Sequence, residues 1–497
     1  MTAIVPRWEW RTFGSRFGIA QTHFAGLTPG AVEESDELYF LGGSGGIAKV
    51  RGGLMDIKLL REVNAGGLER WEPVMKQGFP LPASEAARMF AYLGLTAPQC
   101  NRDDYTLDQF IDELAVPGGL AAPIKVHKRR TRYQVMGCTS ELSEIVADGR
   151  PSRTIAIESE DAAAVLSAVA SVGLNGYANT NYARGLKWLL DDAPERYAVI
   201  DVGTNSVKLH IGERGGAGGW RTIVDRAELT RLGEGLEDQG EIAAEAATRT
   251  AAAIGTMADE ARSSGARAIV AVGTAGLRIA RNSDAVLEMF RAQAGISVEV
   301  VEGIEEGRLA YLAVMAGLGI PKGSLAVFDT GGGSSQFTFG QDGRVEEQFS
   351  VNVGAARYTE QFGLDRAVTP DVIRSARAAI SADLSRIDGH PSFDTLVAMG
   401  GAVTNMAAVK HGLSRYDPEI IQGTPLERDE IDRQIEMYRT LDAEGRHSIV
   451  GLQPKRAEVI LAGACIVRTI MEMLGKASLT VSDFGLRHGV FAERFGT

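Results

Sequence analysis

The stretch that most limits how this chain can fold occurs twice. AVIDVGTNSVKLHIG, residues 198–212, and AVFDTGGGSSQFTFG, residues 326–340, share one plan. An apolar run ends in an Asp-x-Gly turn, and a second alternating run follows. Each copy reads as strand, tight turn, strand, with Asp201 and Asp329 in matching places. Two copies of one supersecondary unit predict two related lobes with a cleft between them. Around them strands and helices alternate. ARAIVAVGTAGL and ISVEVVEG read as strands, and EIAAEAATRTAAAIGTMADEARSSG as a helix stopped by Gly265. This order predicts an α/β fold with helices packed on a sheet.

The chain of 497 residues is too long for one ordinary core. A polar joint at Asp191, Asp192, Pro194 and Glu195 divides it. Before the joint the pattern is β-rich: ELYFLGG, IAKVRGG, MDIKLL, ERWEPVM, TRYQVMG and RTIAIES are short alternating segments. SEAARMFAYLGL, LDQFIDEL and DAAAVLSAVASVGL carry helical periodicity. The expected divisions are 1–192, 196–326 and 327–497, with the last segment returning towards the first lobe.

The two turns expose consecutive backbone N–H groups, and glycine lets a phosphate approach them closely. A lone hairpin would be the plainer reading; two copies with a shared aspartate favour a phosphate cleft. Asp201 and Asp329 repel phosphate but suit Mg²⁺, directly or through water. In VGTAGLRIARN, Arg278 offers a planar fork to phosphate. In VVEGIEEGRLAYLAV, Glu305, Glu306 and Arg308 begin an amphipathic helix. Such carboxylates usually complement a helix dipole, but one facing a phosphate cleft could serve water as a general base. In VAMGGAVTNMAAV, Gly400 and Gly401 form a third glycine-rich helix start.

Composition excludes other classes. Net charge is −12, which argues against unspecific nucleic-acid or membrane binding. Three scattered cysteines form no ligand pair and no disulfide framework, which fits a reducing cytosol. The opening MTAIVPRWEW lacks a signal-peptide pattern, and the longest apolar run, at residues 459–467, is too short for a bilayer. A cytoplasmic protein is expected.

From about Tyr197 onward the chain resembles the Ppx/GppA family of exopolyphosphatases and guanosine pentaphosphate phosphatases. IDVGTNSVKL, VGTAGLRIARN, VEGIEEGRLAY, FDTGGGSSQ, SVNVGAARYTEQF, MGGAVTNMAAV, RAEVILAGACIV and VSDFGLRHGVF carry the resemblance. It implies two ribonuclease-H-like lobes of the actin-like ATPase superfold. By position it implies Glu306 as catalytic base, Arg278 as a phosphate-facing arginine and Asp329, with Asp201, near Mg²⁺ or Mn²⁺. Asp201, Gly203, Thr204, Asn205 and Ser206 would form one phosphate loop. Gly331, Gly332, Gly333, Ser334 and Ser335 would form the other, with Gly400 and Gly401 nearby. Where the family reads Gly-Gly-Gly-Ser-Thr-Glu, this chain has Gln336, and where it reads Gly-Gly-Thr, Ala402 follows the glycines. The implied reaction is attack of water on a terminal phosphoryl group.

The first 190 residues resemble the CYTH, or triphosphate tunnel, fold. The carriers are RWEWRTF, AKVRGG, DIKLL, LERWEPVMKQGFPLP, VHKRRTRY, TIAIESED and NTNYARGLKWLL. The resemblance implies an antiparallel β-barrel whose inward side chains meet a polyphosphate chain. Arg7, Glu9, Arg11, Lys49, Arg51, Lys58, Lys125, Lys128, Arg130, Arg132 and Glu158 are the expected contacts. The family's Glu-x-Glu-x-Lys is here Arg7-x-Glu9-x-Arg11, so a metal carboxylate has become a cation. A barrel that binds polyphosphate better than it cleaves it is expected, with Glu9 and Glu158 left for one metal. The expected partner is inorganic polyphosphate or guanosine pentaphosphate, with no nucleic acid and no membrane. A homodimer stays open. The rival readings are a weakly catalytic polyphosphate- or nucleotide-binding regulator, and hydrolysis of short triphosphates in the barrel.

Overall fold

A computed structural model of the protein describes residues 6–42, 46–191, 193–215, 220–236, 240–320, 322–390 and 392–496. Asp192, the expected last residue of the first division, lies outside them, as do the opening MTAIV and Thr497.

Eight antiparallel strands close into a barrel. Around it run Arg7–Gly14, Arg150–Ser159, Cys138–Ala147, Ile124–Val135, Val32–Phe40, Gly46–Arg51, Leu54–Val63 and Glu69–Gly78. Alternation divides each strand between inside and outside. In Ile124–Val135, Ile124, Val126, Lys128 and Arg130 are buried while Lys125, His127 and Arg129 are exposed. One end of the interior is filled by Phe13, Tyr39, Ile124, Val126 and Ile145 against Tyr182 and Leu186 of the helix Tyr182–Leu190. The other end is lined with charge. The segment LDQFIDEL, read as one helix, is an α-turn at Leu107–Gln109 continued by a π-helix at Phe110–Ala115.

Two sheets follow, and they repeat each other. The first runs Trp220–Leu229, Ser206–Arg214, Arg196–Val202, Ala266–Gly273, Val298–Val300. The second begins Arg344–Val351, Ser335–Gln341, Ser324–Thr330, Thr395–Met399, Ser478–Val481, with Pro425–Glu427 at its edge. In both, the first three strands in sequence are antiparallel and the fourth lies parallel to the first. The duplication seen in the sequence is therefore a duplication of topology, the two lobes of the actin-like fold. The apolar run at residues 459–467 lies in the buried helix Ile460–Met473. No helix among the described residues is long and apolar enough to cross a membrane.

The last helix, Leu486–Phe495, follows the second sheet but packs on the first. Phe495 stacks on Tyr197 at 4.4 Å between ring centroids, and Tyr177 of the N-terminal part meets Phe495 edge-on. Trp10, Ile155 and Ile157 of the barrel, Val199 and Val270 of the first sheet, and Val490 and Phe491 of this helix share one apolar cluster. Helix Gly303–Leu318 crosses it so closely that a Cβ on Gly489 would lie 1.9 Å from the Leu309 carbonyl oxygen. Replacing Gly489 with alanine should therefore destabilise the protein by about 1–3 kcal/mol through overpacking. The check is the urea unfolding midpoint.

Candidate phosphate cleft and cationic barrel

The two Asp-x-Gly hairpins face each other across a cavity of about 150 Å³. Their registers are equivalent: Asp201 pairs with Lys208, and Asp329 with Gln336. All four line the cavity, and Glu306 joins them from the helix Gly303–Leu318. Lys208 stands where the second copy has Gln336, and its ammonium lies 3.1 Å from Asp201 Oδ2. Lys208 was not singled out in the sequence; aligning the two copies on their aspartates is the signal that finds it.

The loops between the strands are built to present amides. Gly203 N–H bonds back to Ser206 O, and Gly331 N–H to Ser334 O, at 3.0 and 2.9 Å. The carbonyls of Thr204 and Asn205 are taken by Gly233 and by Thr230 and Arg231. Those of Gly331 and Gly332 are taken by Ala355 and Ala356, at the start of the helix Ala355–Phe362. The N–H groups of Thr204, Asn205, Gly332, Gly333 and Ser334 have no acceptor among the described residues. Unpaired amides beside a water-filled cleft form an anion cradle. Ser335 corrects an expectation: its hydroxyl is buried and bonded to Val353 O at 2.7 Å and to Thr330 Oγ1, so it is not free for phosphate. Its place in a strand, with inward parity, explains this.

Gly400 adopts φ 91°, and a Cβ there would strike Asp329 Oδ1. Gly401 lies under the guanidinium of Arg456, which closes a hollow of about 30 Å³ beside Gly331 and Gly332. Arg456 has no hydrogen-bond or ion-pair partner for its side chain among the described residues. The sequence reading passed over it because it follows a 3₁₀ turn, Pro454–Arg456, far from any glycine loop in the chain.

The two glutamates of the EEG segment have different fates. Glu305 is held by Arg308 at 2.8 and 2.6 Å, and Arg308 also reaches Glu493. Glu306 turns to the cavity. Burial raises its pKa above the ordinary carboxylate value, Arg278 opposes the rise, and Asp201 and Asp329 add to it. That poises a carboxylate to accept a proton. Arg278 lies 3.4 Å from Glu306 and donates to Val301 O at 2.6 Å. It stands behind Glu306 and is not among the residues that wall the cavity. Across the cleft, Gln348 donates to Gly303 O at 3.0 Å and rests on Gly307, where a Cβ would collide with the amide.

Hard oxygen donors suit Mg²⁺ or Mn²⁺ here. Asp329 is the informative one: desolvation by the cleft walls raises its pKa, Lys208 and Arg456 oppose this, and no ion pair meets it among the described residues. Its carboxylate stays open to the cleft. The oxygens of Asp201, Asp329 and Glu306 do not all approach within 4.8 Å. A cation held by any of them would need water to complete its shell.

One triad does converge: His210, Asp225 and His488. The Gly485 N–H donates to His488 Nδ1 at 3.1 Å, so Nε2 carries the proton and points it at Asp225 Oδ2, 2.9 Å away. Arg487 takes the other oxygen at 2.7 Å. Burial drops the His488 pKa to about 3. The triad ties the crossing from second sheet to last helix against the strand Trp220–Leu229; Gly485 and Leu486 wall the cavity.

In the barrel, Glu9, Arg11, Lys49, Arg51, Lys58, Lys128, Arg130, Arg132 and Glu158 line one cavity of about 240 Å³. Two expected residues lie elsewhere. Lys125 sits on the outer face because its parity is opposite to that of Lys128. Arg7 is about half exposed and reaches Glu158 at 3.3 Å without lining the cavity. The strand Cys138–Ala147 was not read, and with it Glu141 was missed. Arg11 bridges Glu9 and Glu141 at 2.8 and 2.9 Å, and Lys128 and Arg130 also contact Glu141. Burial alone would raise Glu141, but these three cations hold it well below the usual range. Burial lowers Lys128 to about 7, with Glu141 opposing and Arg11 and Arg130 reinforcing.

A two-lobed fold whose repeated hairpins bring Asp201 and Asp329 to one cavity with Glu306, and leave turn amides unpaired, suits phosphoryl transfer. The comparisons name it. Residues 199–496 match the Ppx/GppA phosphatase family. The chain belongs to that family. It is 28% identical over 316 residues to Exopolyphosphatase 1 of Mycobacterium leprae, covering 60% of this chain and 89% of that protein. It is 30% identical over 301 residues to the guanosine-5′-triphosphate,3′-diphosphate pyrophosphatase of Photobacterium profundum, covering 60% and 59%. The crystal structure of the Aquifex aeolicus Ppx/GppA phosphatase, type II variant, aligns with TM-score 0.56 and 30% identity, over 60% of this chain and 99% of that one.

With Glu306 as an ionised base, the acid limb of the pH–rate profile for phosphate release should lie above the usual glutamate value, since its pKa is raised. Arg278→Gln should move that limb further up, because it removes the charge that lowers Glu306. Initial rates across pH 4–9 check both.

Proposed function

We propose that this phosphoanhydride hydrolase removes terminal orthophosphate from inorganic polyphosphate, with Glu306 as general base and the N-terminal barrel holding the polymer. The observation that carries the reading is the meeting of Glu306 at one cavity with Asp201 and Asp329, from the two opposed hairpins whose turns carry the unpaired amides. The amides of Thr204, Asn205, Gly332 and Gly333 bind the terminal phosphoryl oxygens, and Arg456 neutralises charge from the side. Glu306 takes the proton of an attacking water held beside the phosphorus. Asp329, with Asp201, would hold a divalent cation, which would supply neutralisation of phosphate charge. Lys208 and the amides supply the remaining stabilisation, so positioning and electrostatics do most of the catalysis.

The barrel favours polyphosphate over a nucleotide substrate. A polymer held at a second site on the same chain raises the local concentration of ends at the cleft. The second reading, guanosine pentaphosphate hydrolysis, is favoured by the Photobacterium relative. Competition between the two substrates on one protein separates them.

Orthophosphate release from long polyphosphate should fall by about 10²–10⁴ in Glu306→Gln. An unchanged rate overturns Glu306 as base. Gln336→Glu should lower the Mg²⁺ concentration needed for half-maximal rate, since it adds a carboxylate opposite Asp329. Arg456→Ala should raise KM more than it lowers kcat, as expected of a group that binds phosphate in both ground and transition states.

A further inference from the structure

Three carboxylates of the barrel are already occupied. Glu141 carries Arg11, Lys128 and Arg130; Glu9 carries Arg11; Glu37, wholly buried, carries Lys49 at 3.0 Å. The Arg11 side chain is only 8% exposed and spans the gap between Glu9 and Glu141. A divalent ion between those two carboxylates would have to expel a buried guanidinium. The positions of the carboxylate oxygens are thus set by cations that belong to the protein.

The cations are not used up in return. Seven lysine and arginine side chains line the cavity against four carboxylates. With Glu37 beneath them counted, positive charge still exceeds negative by two. Lys58 has no ion-pair partner among the described residues, and Arg51 has only a distant one, 3.8 Å from Glu37. The Tyr182 hydroxyl is a second, independent sign. The residue is 7% exposed, its side chain lines the cavity, and its oxygen has no partner. Guanidinium forks on a rigid barrel suit oxygens spaced along a phosphate chain.

We propose that the barrel binds a short linear oligophosphate without a divalent metal, the Arg11 bridge standing in for one. This rests on the reading of the barrel as a polyphosphate holder and adds what holds the polymer there. The polymer's charge is met by side chains that need no loading. Capture by the barrel is then independent of the metal that the cleft requires.

Isothermal titration calorimetry on the full chain with linear tripolyphosphate tests this, once in EDTA and once in Mg²⁺. Binding in EDTA should be one to one and at least as tight as in Mg²⁺, because free Mg²⁺ competes for the ligand. Lys58→Ala and Arg51→Ala should each weaken it by about tenfold, as for loss of one charge-assisted contact, and Lys58→Arg should restore it. Both side chains are partly exposed, so their loss leaves the barrel folded. Binding seen only with Mg²⁺ overturns the metal-free site and leaves the barrel as holder. Absence of binding in both conditions overturns the holder as well. Binding in EDTA that neither alanine variant weakens places the ligand outside the barrel and overturns the proposal.

Discussion

The structure depends on one close contact, the crossing of helix Leu486–Phe495 with helix Gly303–Leu318 at Gly489 and Leu309. The first of these helices closes the chain and the second carries Glu306. Only a residue without Cβ lets the two backbones meet. The same closing helix brings Phe491 against Gly212, Phe495 onto Tyr197, and the carbonyls of Glu493 and Arg494 against Gly18 of the N-terminal part. Barrel, first sheet and base-bearing helix are therefore referenced to one short helix. The apolar cluster shared by Trp10, Val270 and Phe491 gives that reference its stiffness.

Much of this was legible because duplication is a long-range signal carried in short-range pattern. Asp201 and Asp329 could be paired from their surroundings alone, and the sheet orders repeat as that pairing required. Glu306 could be named from its place in the EEG segment of the family the chain resembles; a strand end and a helix start alone did not separate it from Glu305. What escaped notice carries no local signal. Arg456, Glu141 and Asp225 act through partners distant in the chain, while Lys208 is found only by aligning the two hairpins. Nothing around Arg456 in sequence tells that Gly401 leaves room for its guanidinium. Ser335 shows the opposite failure, a residue matched by position whose hydroxyl the fold spends on Val353. Lys125 failed for a simpler reason: a run of basic residues on a strand divides between two faces, and only half of it can point inward.

The two charged regions solve different problems. In the cleft, Asp329 has no ion pair among the described residues, and burial pushes both it and Glu306 up, with Asp201 and Asp329 adding to the rise at Glu306. In the barrel, acids are buried with their cations and held down. Crowded, unmatched acids are reactive and attract cations. Matched, buried ones are inert scaffolding that fixes where the surplus cations sit.

Gln348 and Gly307 give this contrast a further meaning. The lobes touch near Glu306 through an amide donating to a backbone carbonyl, with no net charge on either side. Dissolved ions screen charge–charge attraction and leave such a neutral bond almost untouched. Ionic strength thus acts on the two ends of the molecule unequally. It weighs on the surplus cations of the barrel more than on the amide bond between Gln348 and Gly303. The charged cavity is thus the salt-sensitive part of the protein, and this neutral bond between the lobes a salt-indifferent one.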